Sequence, residues 1–232
     1  MNTIEHLVVA VPANNEEGSL ARCLTSIAAA VEALRLCRPD IATTVCVGLD
    51  RCTDRSEDVV GEHGVLSVRA DAPGVGAARD AAIDRGLQAL EVRDLQGGWL
   101  ACTDADTFVD PNWLVGHVLW AERGFDLLVG TVEPQGELDA RLAALWHDLH
   151  HLVEGHPHVH GANLGIRASH WRAVGGFGDL TLHEDAGLVA RVRAGTQRWV
   201  ATDTVRVRTS GRLSSRVHGG FATFLSRLDP VT

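Results

Sequence analysis

Short apolar runs and helix-like segments alternate through the first half of this chain, and the runs end close to acidic or amide side chains. His6–Val11 reads as a buried strand that gives way to Pro12-Ala13-Asn14-Asn15-Glu16-Glu17. From Ser19 to Leu36, apolar residues recur at helical spacing (Leu20, Leu24, Ile27, Val31, Leu34). Thr43–Leu49, bounded by Asp50, reads as a second strand, and Thr53–Glu62 as a helix capped by Thr53 or Asp54. Val65–Val68 is a third short strand, and Gly74-Val75-Gly76 opens a helix through about Ala89. Trp99–Thr103 is the fourth strand and Pro111–Arg123 the fourth helix, with proline near its first turn. This β-α-β-α order predicts a parallel sheet with helices on both faces. Ligands of such sheets bind beyond the carboxyl ends of the strands. Asn15, Glu16, Asp50 and the triplet Asp104-Ala105-Asp106 all fall there.

The second half is less regular. Asp126–Val132 reads as a strand, Leu138–Val153 as a helix, Gly155–Gly161 as a His- and Gly-rich loop, Glu184–Ala194 as a helix and Trp199–Val207 as extended. No Pro/Ser-rich linker or internal repeat divides the 232 residues, so one continuous domain is expected. The apolar fraction of 45% and the charged fraction of 22% are those of a globular protein. The net charge is −9 and the chain has no lysine, so all 21 basic residues are arginines. No basic tail or stripe suggests a nucleic-acid partner. Cys23, Cys37, Cys46, Cys52 and Cys102 are scattered and odd in number, as expected of free thiols in a reducing compartment. No basic region precedes Leu7–Val11, and no apolar stretch approaches the ~18 residues of a membrane span. The expectation is a cytoplasmic protein without an integral membrane segment.

Two carboxylates one residue apart at a strand end, Asp104 and Asp106, can grip one divalent cation, directly or through water. Hard oxygen ligands suit Mg²⁺ or Mn²⁺, which keep water and take phosphate oxygens as further ligands. The same two acids beside a Thr also suit a plain turn. Six of the twelve histidines lie between His147 and His160, and His147, His150 and His151 share a helix face at i, i+3 and i+4. That spacing suits a transition metal, an exposed face or an acceptor loop. Arg206, Arg208, Arg212 and Arg216 form either a solvated basic segment or a loop that closes over a diphosphate.

Taken in order, the motifs resemble those of the family 2 glycosyltransferases with the GT-A fold. The likeness spans roughly residues 6 to 220. It rests on Val11-Pro12-Ala13-Asn14-Asn15-Glu16-Glu17, Val47-Gly48-Leu49-Asp50-Arg51-Cys52-Thr53-Asp54, Gly76-Ala77-Ala78-Arg79-Asp80 and Thr103-Asp104-Ala105-Asp106. It continues with Gly161-Ala162-Asn163-Leu164-Gly165-Ile166-Arg167, Val174-Gly175-Gly176-Phe177 and His183-Glu184-Asp185. Three positions depart from the family pattern. Leu49 stands for the usual first acid of the second-strand motif, Arg51-Cys52 for Gly-Ser, and Asp80 for Asn.

The resemblance implies an α/β GT-A domain with a Rossmann-like, mostly parallel central sheet flanked by helices. Residues 1–107 would be its nucleotide-sugar-binding half and 108–232 its acceptor-side half. It implies a metal-dependent, non-processive, inverting transfer of one sugar from a nucleoside diphosphate sugar to a hydroxyl acceptor. Pro12, Asn15, Glu16, Asp50, Arg79 and Asp104 would face the donor. Asp106, with Asp104 and a late histidine, His218, would hold Mn²⁺ or Mg²⁺. Asp185 would be the general base, with Glu184 orienting the acceptor or raising the base's pKa. The alternatives are a nucleotidyltransferase, a non-catalytic nucleotide-sugar-binding module and a retaining GT-A enzyme. The first is disfavoured by the acidic Pro12–Glu17 loop and the absence of lysine. The sequence leaves the donor, the acceptor and the oligomeric state open.

Overall fold

A computed structural model of the chain describes residues 3–136, 140–178 and 183–211. Among these residues eight strands form one sheet: β1 (His6–Ala13), β2 (Ala42–Leu49), β3 (Leu66–Arg69), β4 (Gly98–Cys102), β5 (Thr107–Phe108), β6 (Leu127–Gln135), β7 (Leu164–Arg167) and β8 (Trp199–Ser210). Their spatial order is β3-β2-β1-β4-β7-β6-β8-β5. The first four are parallel, and β7 then pairs antiparallel with both β4 and β6. β8 runs parallel to β6 and carries β5 antiparallel on its other edge.

The helices are α1 (Leu20–Cys37), α2 (Ser56–Glu62), α3 (Val75–Ala89), α4 (Trp113–Glu122), α5 (Ala140–Leu149), α6 (Ala168–Ala173) and α7 (Glu184–Gly195). α1, α2 and α4 share one apolar cluster, and α3, α6 and α7 share the other. The strand β1 feeds both layers. Its Leu7, Val9 and Val11 enter the first cluster, and Val8 and Ala10 enter the second. A strand buried on both faces therefore reads as an unbroken apolar run. Each of the Leu and Val side chains contributes about 1.5–3 kcal/mol by burial. On α3, Gly86 lets the helix lie against β1, since a Cβ there would come 2.4 Å from Val8 Cγ1.

The structure corrects several sequence expectations. The sheet is mostly parallel, as expected, but β7 and β5 run antiparallel within it, and strands of four and two residues are too short to announce themselves by pattern. α2 begins at Ser56 rather than Thr53, since the Asn15 side-chain oxygen already accepts from the backbone N–H groups of Thr53 and Asp54. α5 stops at Leu149, so His147, His150 and His151 do not share a helix face. His147 and His151 are exposed. His150 instead stacks on Trp146, with ring centroids 4.6 Å apart, and turns inward. All five cysteines are free. Among the described residues, no helix is long and apolar enough to cross a membrane.

Candidate active site

The acidic triplet sits in the turn that follows β4. Backbone bonds from Thr103 N to Ala10 O and from Thr107 N to Asp104 O fix that turn beside β1. Asp104 Oδ1 accepts from Arg79 Nη2 at 2.7 Å, and Arg79 Nη1 donates to Glu184 Oε1 at 3.0 Å. Arg79 is 1% exposed, so this guanidinium lies inside the protein and not on a helix surface. Burial opposes its charge, but the carboxylates of Asp104 and Glu184 outweigh that and hold Arg79 above its ordinary pKa. Asp106 is half-buried and belongs to a hydroxyl chain in which Thr107 Oγ1 donates to Thr209 Oγ1 and Thr209 Oγ1 to Asp106 Oδ1. Thr209, on β8, is a site neighbour that sequence reasoning missed. Burial, and then the charges of Asp106 and Asp104, push the Cys23 thiol far up, a sign of the negative field these two acids share.

The second acidic pair opens α7. His183 precedes it in the left-handed region (φ 58°), and Glu184 and Asp185 occupy the first turn, where the helix dipole favours negative charge. Asp185 Oδ2 accepts from Gly161 N and Oδ1 from Ala186 N, each at 2.7 Å. Glu184 is buried, and burial pushes its carboxyl up against the opposing pull of Arg79. Gly161 is the second residue that motif reading left without a role. Its N–H orients Asp185, and a Cβ on it would come 2.7 Å from Arg79 Nη2. Asp80, in the same motif as Arg79, is engaged within the protein. Its carboxylate accepts from Trp171 Nε1 and from the backbone N–H groups of Phe177 and Gly178, which fixes the turn before α7.

The ends of β1 and β2 form the third part. Pro12 lies buried within β1. Asn15 (φ 54°) and Arg51 (φ 49°) are both left-handed. Glu16 is buried, and its Oε2 accepts from Ser19 Oγ at 2.8 Å. Asp50 accepts from Arg51 Nε at 2.8 Å through Oδ1 and from Gly74 N at 3.1 Å through Oδ2. Among the described residues, three of the four left-handed non-glycine positions, Asn15, Arg51 and His183, sit at this end of the sheet. Such strain concentrates where a fold holds a site.

Not every candidate converges. His218, Arg212 and Arg216 lie outside the described residues. Arg206 and Arg208 are strand residues of β8, paired with Asp203 and Glu133, and not part of a loop. His150, His156, His158 and His160 line a narrow cavity with Thr131 and Val132. Among the described residues, no group of three or more His, Cys, Asp or Glu is placed to hold a metal ion. Two carboxylates are, however, the donor set Mg²⁺ or Mn²⁺ commonly takes from a protein when substrate phosphates and water complete the shell. Asp104 and Asp106 fit that requirement.

The glycosyl transferase family 2 model matches residues 8–147. The chain belongs to this family. The family 2 match includes the ends of β1 and β2, Arg79 and the acidic triplet, whereas Glu184 and Asp185 lie beyond it. Over 104 residues the chain is 29% identical to the low-salt glycan biosynthesis hexosyltransferase Agl6 of Haloferax volcanii. That stretch covers 45% of this chain and 22% of the relative. Among solved structures, S. aureus TarS 1-349 in complex with UDP-GlcNAc aligns at a TM-score of 0.65 and 14% identity, over 96% of this chain and 65% of that one. The mannosyltransferase PcManGT from Pyrobaculum calidifontis, in complex with GDP-Man and Mn²⁺, aligns at 0.61 and 15% identity, over 90% and 57%. These likenesses show the GT-A fold, and the chain spans less than two thirds of the length of each of these three relatives.

Proposed function

We propose that the chain transfers one sugar from a nucleoside diphosphate sugar to a hydroxyl acceptor, with inversion and with a divalent cation. The observation that carries this reading is Arg79, which ties Asp104 at the end of β4 to Glu184 at the start of α7. Donor-side and acceptor-side acids thereby share one cluster. Family membership and the nucleotide-sugar complexes of two structural neighbours support the donor class. In this reading residues 1–107 hold the nucleotide and 108–232 the acceptor.

Mn²⁺ or Mg²⁺, when bound, would supply charge neutralisation to the departing diphosphate. Asp106 would hold it, with Asp104 nearby and His218 as a further ligand. Asp104, held by Arg79 through Oδ1, would contact the donor. Asp185 takes the proton of the attacking hydroxyl. Its two backbone N–H bonds aim the carboxylate and leave lone pairs to receive the proton. Glu184, buried against Arg79, positions Asp185 by anchoring the first turn of α7.

Asp185→Asn tests the division of labour. Donor binding, followed by thermal shift across UDP-, GDP- and dTDP-sugars with Mn²⁺, should persist, while transfer falls by roughly 10²–10⁴-fold. Wild-type turnover in this variant would remove Asp185 from the reaction.

A further inference from the structure

Beyond the ends of β2 and β3 lies a pocket of about 180 Å³ lined by Leu49, Arg51, Cys52, Glu57, Arg69 and Ala70. It adjoins Asp50, whose oxygens accept from Arg51 and Gly74, but its lining does not include that residue. The carboxylate that lines the pocket is Glu57, on α2. Arg69, at the end of β3, donates to Glu57 Oε2 at 2.6 Å. A carboxylate and a guanidinium therefore stand side by side on one wall, both open to solvent, with side-chain exposures of 50% and 78%. Leu49 and Ala70 add apolar surface, and Arg51, whose guanidinium pairs with Asp50, is a further lining residue.

The bases differ in what they offer such a wall. A carboxylate is best met by two adjacent N–H donors. Guanine has them, N1–H and the 2-amino group, next to the O6 acceptor. Adenine and cytosine place a ring acceptor beside a single amino group. Uracil and thymine flank one N–H with two carbonyls, which repel a carboxylate. The order along the guanine edge (donor, donor, acceptor) matches Glu57 followed by Arg69. Guanidinium groups also pair well with guanine O6 and N7.

Building on the donor reading above, we propose that this pocket reads a guanine base. Glu57 accepts from N1–H and the 2-amino group, and Arg69 donates to O6, so the donor is a guanosine diphosphate sugar.

Calorimetric titration of GDP, IDP, UDP and ADP into the whole chain with Mn²⁺ tests this. IDP lacks only the 2-amino group. GDP should bind at least roughly tenfold more tightly than each of the others. Glu57→Gln, at an exposed position, should erase the difference between GDP and IDP and leave UDP unchanged. Tighter or equal binding of UDP or ADP overturns the guanine assignment and leaves the transferase reading standing. A GDP preference that survives Glu57→Gln overturns the role of Glu57. If no nucleotide binds, both readings fall together.

Discussion

A guanidinium with almost no exposure costs several kcal/mol to desolvate, and that cost is offset only while its carboxylates remain in place. Arg79 meets this condition with partners 25 and 105 residues away, Asp104 and Glu184. Arg79→Met would strand two acids in and beside the interior. It should destabilise the chain by about 3–5 kcal/mol in a denaturant titration. A change under 1 kcal/mol would mean that the cluster is held by something else. Gly161→Ala is the subtler probe. The added methyl meets Arg79 within 2.7 Å, on the residue whose N–H holds Asp185. Transfer should fall more than nucleotide binding does. The motif containing Arg79 was legible in the sequence, but its burial was not. Helical periodicity does not tell an arginine on a wet face from one paired inside, because the partners come from distant segments. Asp80 shows the same limit, since its contacts lie 91 to 98 residues along the chain.

At the level of elements, α3 is positioned by what its glycine lacks. Alanine is the better helix former by about 1 kcal/mol. Gly86→Ala should nevertheless destabilise the fold by about 1–3 kcal/mol, because its Cβ would press on Val8 in β1. Thermal melting of the variant reads this directly, and a raised melting temperature would contradict the packing. The histidines act at the same scale. Burial lowers His117 of α4 to about 3, and lowers His160, before β7, to about 4 against the opposing charge of Asp185. Both are neutral in the folded chain, while the unfolded chain takes up protons as the pH falls below about 6.5. Stability is therefore undiminished above that pH and is lost on going down towards the folded values. The loss is roughly 1.4 kcal/mol per pH unit for each such imidazole. Denaturant midpoints at pH 7.5, 6.5 and 5.5 should fall accordingly, and a flat profile would contradict the burial of these rings. The spacing of His147, His150 and His151 suggested one helix face, but α5 ends at Leu149 and His150 stacks on Trp146. Periodicity alone does not say where a helix ends.

Across the whole molecule, one sheet joins the two halves, with the change from parallel to antiparallel pairing at β4 and β7. The parallel part was legible because buried strands announce themselves as apolar runs, each ending at a polar residue. The mixed part was legible only at β6 and at β8, which alternates exposure along its length, since β5 has two residues and β7 has four. The acidic ends of β1, β2 and β4 were legible for the same reason as the strands. What the sequence hid was how Arg79, Gly161 and Thr209 bind those acids to the second half. The continuous sheet implies that far-UV dichroism and the fluorescence of buried Trp99, Trp113 and Trp146 change in one coincident transition on unfolding. Two separated transitions would mean that the halves fold independently. The most direct test of the proposed site is calorimetric titration of a nucleoside diphosphate into wild-type chain and Asp106→Ala, each with and without Mn²⁺. Wild-type binding should require the metal, and Asp106→Ala should lose at least roughly 100-fold in affinity, about 2.7 kcal/mol. Equal binding by the two proteins, or wild-type affinity indifferent to Mn²⁺, would contradict a cation-held diphosphate at the end of β4.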